Sequence, residues 1–186
     1  MAKRKVLYVT YDHPAVHPGG AQQHALELYE AMRASDEFEP MLLAYYQSGT
    51  RNTLTARGAA PFGRVTVDDP NQYFLFARRS IADALHFTSS NKDIPNHFFR
   101  DFLLAHKPDI IHFQCVLFLG HELFRAAKTT LPEAPIVHTL HEYMAICPTW
   151  TMVTTSDQLC SESSPRRCHA CFPDRPAQYF AQRILY

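Results

Sequence analysis

The sequence predicts an α/β fold, with a doubly wound, mostly parallel sheet in one Rossmann-like domain over residues 1–186. Short apolar runs alternate with amphipathic segments along most of the chain, which is the pattern of buried strands followed by helices. Residues 5–46 contain an apolar run, an amphipathic run and a second apolar run. Such a strand–helix–strand unit implies parallel pairing and a right-handed crossover. The chain length suits one domain with a substantial core.

The first strand–helix–strand unit is the clearest. Residues 5–10, KVLYVT, form a β-branched apolar run that is typical of a buried strand. Two adjacent glycines, Gly19 and Gly20, precede the predicted helix, and residues 39–46 supply the second strand. The spacing puts Gln22 on the polar face of this helix. It puts the following residues on the apolar face: Ala21, Ala25, Leu28, Tyr29 and Met32.

The remaining elements are predicted from the same patterns. They are a strand within residues 63–69, a helix over 72–87, a helix over 93–106 with Asp93 as its cap and Pro95 in its first turn, a strand at 109–113, a helix over 120–131 and a strand at 136–141. Residues 147–176 are rich in proline, serine and cysteine. We expect them to form an irregular Cys-rich insertion, followed by a final helix that begins near residue 176.

The composition excludes several classes of protein. Lys and Arg together number 18, as do Asp and Glu, so no net charge attracts nucleic acid or an anionic membrane. The basic N-terminus is followed by a short apolar run without a signal-type cleavage site. No stretch of the sequence approaches the roughly 20 apolar residues that a membrane span needs. We therefore expect a cytoplasmic protein with no nucleic-acid partner.

The glycine pair has two explanations. The structural one is a turn in which glycine caps the helix. The functional one is that the helix N-terminus offers unpaired N–H groups and a partial positive charge, and that glycine lets a phosphate or a sugar approach the backbone. The spacing excludes a dinucleotide fingerprint, which needs a third glycine, and a P-loop, which needs a following Lys and Ser or Thr.

Four cysteines are spaced as C-x12-C-x7-C-x2-C: Cys147, Cys160, Cys168 and Cys171. The last two form a Cys-x-x-Cys pair, a spacing with which two thiolates bind one tetrahedral metal ion. A structural zinc ion would explain how a segment poor in apolar residues becomes ordered. Four free thiols are the alternative, and disulfides are disfavoured in a cytosolic chain. The isolated Cys115 suits a small core residue.

The order of several motifs resembles that of one family. A first strand is followed by HPGGAQQHALELYEAM (residues 17–32), KPDIIHFQ (residues 107–114) and APIVHTLHEYMAICP (residues 134–148). This set is similar to the N-terminal domain of GT-B-fold, retaining glycosyltransferases of the family 4 group. The resemblance extends over residues 5–171. In that family the corresponding elements read Gly-Gly-Ala-(Glu/Gln), Pro-Asp-(Ile/Val)-(Ile/Val)-His and Thr-(Leu/Val)-His-(Asp/Glu).

The resemblance implies roles for individual residues. His141, at a strand tip, would face the cleft as the catalytic residue and contact the donor sugar or its phosphate. Its structural alternative is a strand-end histidine bonded to a backbone carbonyl. The glycine backbone would contact the donor phosphates or the acceptor. The candidate donor- or substrate-binding residues are Gly19, Gly20, Gln22, His17 and Glu142.

The implied activity is transfer of a sugar from a nucleotide-sugar donor to a glycan, lipid or other acceptor, with retention and without a catalytic metal. Helix N-termini and basic side chains would stabilise the departing diphosphate. In this family a C-terminal domain binds most of the donor. We therefore expect residues 1–186 to be the acceptor-side part, inactive without that partner domain. Peripheral membrane association of the full protein stays open. The alternative function is a non-catalytic, zinc-stapled binding module for a glycan or a protein.

Overall fold

The computed structural model describes residues 2–46, 62–64, 69–76 and 80–185. Within these residues six strands form one sheet. They are β1 (Arg4–Tyr11), β2 (Phe38–Tyr46), β3 (Phe62–Arg64), β4 (Gln72–Phe76), β5 (Ile110–Cys115) and β6 (Ile136–His138). Their order across the sheet is β3-β4-β2-β1-β5-β6.

Five of the six strands run parallel. β1 pairs in parallel with β2 on one side and with β5 on the other, and β4 and β6 extend the parallel sheet outward. The edge strand β3 is antiparallel to β4. The predicted α/β fold with a mostly parallel sheet is confirmed. Because the chain winds away from β1 in both directions, the topological switch point lies between the carboxyl ends of β1 and β5.

Helices cover both faces of the sheet. They are α1 (Gly20–Arg33), α2 (Ile81–His86), α3 (Phe99–His106), α4 (Glu122–Thr130) and α5 (Pro165–Cys171), with a π-helical turn at Ile94–Phe98 and a 3₁₀ segment at Ala177–Leu185. Alternate residues of β1 face opposite layers. Tyr8 packs in one core cluster with Tyr29 of α1, whereas Leu7 packs in another with Phe102 of α3 and Leu123 of α4. None of the helices in the described ranges is long and apolar enough to cross a membrane.

The helix predicted over residues 72–87 is wrong in its first half. Residues 72–76 form β4, which pairs with β2 from Leu42↔Gln72 to Tyr46↔Phe76. Phe74 and Phe76 bury their rings beside Ala44. Aromatic residues suit a pleated, half-buried surface, so packing against β2 decides the conformation. The helix is confined to α2, where Ser80 and Asp83 form a capping box.

In the second half of the chain, several helices and strands begin or end at residues other than those predicted. Asp93 makes no side-chain capping hydrogen bond, because residues 94–98 form the π-helical turn before α3 begins. Its carboxylate instead lies 3.9 Å from Nε2 of His97. The strand predicted at 136–141 ends at His138, and the final helix is the 3₁₀ segment. Of the strand predicted within 63–69, residues 65–68 lie outside the described residues.

Residues 147–176 contain little regular structure. They include one isolated bridge, between Val153 and Leu159, and the short helix α5. Trp150 and Met152 both have positive φ, 52° and 58°, a conformation that costs free energy for residues other than glycine. Backbone hydrogen bonds hold this turn, since the Trp150 N–H donates to the Cys147 carbonyl at 2.9 Å and the Trp150 carbonyl accepts from the Tyr143 N–H at 3.0 Å.

A buried carboxylate fixes α1 to the segment that precedes β4. Asp69 accepts hydrogen bonds from the Tyr29 hydroxyl at 2.7 and 2.8 Å, from Nε2 of Gln72 at 2.9 Å and from Nη1 of Arg33 at 3.0 Å. Burial alone would raise the pKa of Asp69, but these bonds and the Arg33 charge outweigh burial and lower it. Oε1 of Gln72 in turn accepts from Nε2 of His13 at 2.8 Å. The network therefore also fixes the loop between β1 and α1.

Of Gly19, Gly20 and Gly120, the fold requires glycine most at Gly120, in the turn before α4. Its φ is +79°, and an added Cβ would meet the Thr88 backbone carbon and, at 2.6 Å, the Ser89 nitrogen. Gly120→Ala is expected to destabilise the protein by about 2 kcal/mol or more, because the backbone is strained and cannot yield. Gly20→Ala is the control. A Cβ at Gly20 meets nothing within 4 Å, so its stability should stay within about 1 kcal/mol of wild type.

Urea unfolding of the two variants measures both effects. Equal losses of stability in Gly120→Ala and Gly20→Ala would contradict this assignment.

Candidate functional site

A small cavity lies at the carboxyl edge of the sheet, at the switch point between β1 and β5. Its volume is about 260 Å³. Three segments line it: the end of β1 with the first turn of α1, the end of β5, and the loop that follows β6. The lining residues are Tyr11, Gly20, Ala21, Gln22, Cys115, Leu117, Glu142 and Trp150. Ligands of doubly wound folds bind in this position.

The backbone conformation does not require glycine at either position of the pair. Gly19 is the N-cap of α1, but its φ of −160° and ψ of 157° describe an extended conformation that any residue adopts. A Cβ on Gly19 would meet the flexible amide end of Gln22, and one on Gly20 would enter open space. The structural explanation for the pair is therefore incomplete. What the two glycines provide is room beside the helix N-terminus.

Gln22 lies on the buried face of α1, where the sequence pattern predicted polar exposure. It is 8% exposed and aligns with Ala25 and Tyr29 on the helix face that packs on the sheet. Its side chain lines the cavity and makes no hydrogen bond to any of the described residues. Gln22 is not among the described residues whose side-chain polar atoms are both fully buried and unpaired. Its amide therefore reaches solvent through the cavity and is available to a ligand.

Glu142 and Cys115 form the opposite wall. The Cys115 thiol donates to Oε1 of Glu142 at 3.0 Å. Burial and the neighbouring carboxylate both raise the pKa of the Cys115 thiol, which keeps it protonated as a donor. Oε2 of Glu142 accepts no hydrogen bond from the described residues. Cys115, expected to be a core residue, is buried at 4% exposure but also lines the cavity.

Gln114 joins three histidines beside the cavity. Its Oε1 lies 3.0 Å from Nδ1 of His24 and 3.0 Å from Nε2 of His141, and its Nε2 lies 2.9 Å from Nε2 of His112. The register of β5 against β1 shifts between Val9 and Thr10, so Gln114 has no partner on β1. Such an extra residue redirects a side chain at the end of a strand.

The orientation of the Gln114 amide decides the proton positions in this cluster. With Oε1 of Gln114 facing them, His24 and His141 both donate a ring N–H, and His112 accepts from the Gln114 amide. Burial lowers the pKa of His112, and the nearby His24, His138 and His141 lower it further. Burial also lowers the pKa of His141, with His24 adding to the effect and Glu142 opposing it. His112 and His141 are therefore neutral near pH 7.

Two predicted site residues, His141 and His17, do not line the small cavity. His141 is exposed and, with Glu142, borders an adjoining groove of about 400 Å³. His17 does not line the small cavity. Its Nδ1 lies 3.1 Å from the buried carboxylate of Asp12. The structure thus brings together Gly20, Gln22 and Glu142, and it leaves His17 outside their cavity.

The four cysteines of the predicted metal site all belong to the described residues. Cys147 and Cys168 are buried, Cys160 and Cys171 are half-buried, and no disulfide links any of them. Burial would raise the pKa of Cys147, but hydrogen bonds from Thr149 and from the turn backbone outweigh burial and lower it. Across the described ranges, no group of three or more His, Cys, Asp or Glu side chains has an arrangement that holds a metal ion. Zinc binding stays a prediction.

Gln114, His24 and Trp150 were not among the predicted site residues. The signal for Gln114 is a polar residue within a buried strand, at 0% exposure. His24 carries a weaker signal, since it falls one turn after Gly20 on the helix. No local pattern identifies Trp150, whose position depends on the turn between Cys147 and Met152.

The neutral histidines predict a pH dependence of stability. The unfolded chain binds protons near pH 6.5, whereas the lowered pKa values of His112, His138 and His141 delay protonation of the folded state. Stability is therefore full above about pH 6.5 and declines as the pH falls toward the folded pKa values. Between pH 7 and 5.5, the free energy of unfolding of His112→Gln should fall by about 1 kcal/mol less than that of wild type, because one titrating group is gone.

Urea unfolding at the two pH values measures this difference. The matched control is His97→Gln, which removes an exposed histidine. A wild-type protein equally stable at both pH values would contradict the assignment of neutral, buried histidines.

Comparison with known proteins finds no matching family model, no matching curated protein and no matching solved structure. The function proposed below therefore rests on the sequence motifs and on the geometry of the carboxyl edge.

Proposed function

We propose that this chain is the acceptor-side part of a nucleotide-sugar-dependent glycosyltransferase that acts with retention. The observation that carries the proposal is the cavity at the switch point, with open space beside Gly20 at the N-terminus of α1. The ordered motifs that resemble family 4 glycosyltransferases contribute Gly19, Gly20, Gln22, His141 and Glu142 to this edge of the sheet. Packing within this domain does not explain why open space is left beside Gly20.

The tautomer of His141 favours one of its two implied contacts. Nε2–H donates to Gln114, so Nδ1 of the neutral ring carries a lone pair and accepts a hydrogen bond. A sugar hydroxyl can donate to that nitrogen, whereas an ionised phosphate cannot. In the proposed reaction His141 therefore holds a hydroxyl of the donor sugar. The departing diphosphate would be stabilised by other groups, including those of the donor-binding domain.

The activity is tested in a chain that joins residues 1–186 to a donor-binding domain. We expect no sugar transfer by residues 1–186 alone and measurable transfer by the joined chain. His141→Ala should lower the transfer rate by about 100-fold, the scale of a lost polar contact to the reacting group. Its exposed position predicts normal folding. His97→Ala, on a distant exposed surface, is the matched control.

Two results would count against the proposal. Turnover by residues 1–186 alone would contradict the division of labour between domains. An unchanged rate in His141→Ala would return this histidine to a structural role. Glycan binding by a joined chain without any transfer would instead support the alternative, a non-catalytic binding module.

We also propose a structural zinc ion bound by the four-cysteine motif, in the segment that follows the site. The segment has few large apolar groups, and ordering its backbone costs roughly 1–2 kcal/mol per residue. Zinc binding contributes about 10–16 kcal/mol in small zinc-finger peptides, which would offset part of this cost. The feature that supports the site is the Cys-x-x-Cys spacing of Cys168 and Cys171, with which two thiolates bind one tetrahedral metal ion.

Metal analysis of protein purified without chelator tests the zinc proposal. About one zinc per chain is expected for wild type, consistent with one four-cysteine site. Cys168→Ser should lose the metal, whereas Cys115→Ser, outside the motif, should retain it. Protein without zinc, or retention of zinc by Cys168→Ser, would contradict the site.

A further inference from the structure

The small cavity at the carboxyl edge has unused hydrogen-bonding capacity on two walls. On one wall the amide of Gln22, a residue that is 8% exposed as a whole, has no partner among the described residues. On the other, Oε2 of Glu142 is without a partner among the same residues, while Oε1 is held by Cys115. The amide both donates and accepts, whereas the carboxylate only accepts. A ligand with several hydroxyl groups would satisfy both.

The charge of the cavity argues against an anionic ligand. Of the described lining residues, Glu142 is the one with an acidic side chain, and neither Lys nor Arg lines the cavity. The N-terminus of α1 has a partial positive charge, but the carboxylate already lies across the cavity from it. A phosphate or a carboxylate in the cavity would be repelled by Glu142. An uncharged ligand meets no such cost.

An aromatic ring supplies an apolar surface to the same cavity. Trp150 lines it, and both backbone polar groups of Trp150 are hydrogen-bonded, to Cys147 and to Tyr143. The ring is therefore carried by a fixed turn. The C–H face of a pyranose packs on aromatic rings of this kind. The volume, about 260 Å³, is below the roughly 300–1,000 Å³ typical of pockets for drug-sized ligands, and it suits a single ring.

We infer that this cavity binds one uncharged sugar ring, with Gln22 and Glu142 bonded to its hydroxyls and Trp150 packed against its C–H face. The inference rests on the proposed function where it identifies this ring as the acceptor. In that setting Glu142 is a specificity-determining residue that selects a neutral sugar over a phosphorylated or acidic one. Gly20 leaves the room that the ring occupies.

Trp150 allows a direct test, because it is the single tryptophan of the chain. Its fluorescence is followed while the 186-residue protein is titrated with glucose, galactose, mannose and N-acetylglucosamine. Inorganic phosphate and glucuronate serve as anionic probes. At least one neutral sugar should cause a saturable change, phosphate should cause none, and glucuronate should bind about tenfold more weakly than glucose. A tenfold ratio corresponds to the net value of a typical hydrogen bond or ion contact.

Three variants assign the effect to residues. Gln22→Leu should weaken binding of the neutral sugar about tenfold, because one hydroxyl loses its partner. Gln23→Leu is the matched control, since Gln23 is exposed and its Nε2 donates to Glu27 at 3.1 Å. It should bind as wild type does. Glu142→Gln should remove the discrimination against glucuronate. Circular dichroism verifies folding, and Glu142→Gln alone carries the test if Gln22→Leu does not fold.

Saturable binding of phosphate, or no fluorescence change with any neutral sugar, would overturn the inference. So would unaltered sugar affinity in Gln22→Leu. Failure of this inference and failure of the proposed function give different results. Sugar binding without transfer in a joined chain would retain the subsite and reject the transferase. Sugar transfer by a joined chain, without a Trp150 fluorescence change on addition of sugar, would support the transferase proposal and contradict the sugar subsite.

Discussion

Parallel pairing of β1 with both β2 and β5 determines where the loops and the cavity lie. Because all three strands run in the same direction, the loops that follow them open at one edge of the sheet. After β1 the chain builds the sheet outward on one side through β2, and it later returns to pair β5 on the other side of β1. The two halves therefore diverge at the carboxyl ends of β1 and β5, which leaves a gap between the loops. The cavity occupies this gap. Its walls come from segments that are more than 100 residues apart, Tyr11 and Gln22 on one side and Glu142 and Trp150 on the other.

Buried polar side chains distinguish this edge from the rest of the core. Gln114 satisfies its amide with three histidines, and Asp69 satisfies its carboxylate with three side chains. Both networks fix α1 relative to the sheet, through His24 in the first case and Tyr29 in the second. Gln22 differs, since its amide has no partner among the described residues. A satisfied network rigidifies a site, whereas an unsatisfied amide in a cavity is available to a ligand.

Hydrophobic periodicity predicted the elements whose burial is simplest. The strand at residues 5–10, the helix after the glycine pair and the strand at 39–46 were recovered because each has one continuous environment. The strand at 72–76 was missed because its aromatic residues fit either an amphipathic helix or a strand, and contact with β2 decides between them. Gln22 was assigned to the wrong face of α1 because a polar residue was taken to be exposed. The position of Gln114 depends on a register shift that no local pattern encodes.

The proposed function requires that ligand binds at the carboxyl edge of the sheet, beside Gly20. A second cavity, of about 320 Å³, lies at the opposite edge, near Lys107 and Ala134. Mapping of backbone amide chemical shifts by NMR, during titration with a neutral monosaccharide, compares the two edges in one experiment. We expect the shifts to concentrate at residues 20–22, 115–117 and 142–150. Shifts confined to the edge that contains Lys107 and Ala134 would contradict it.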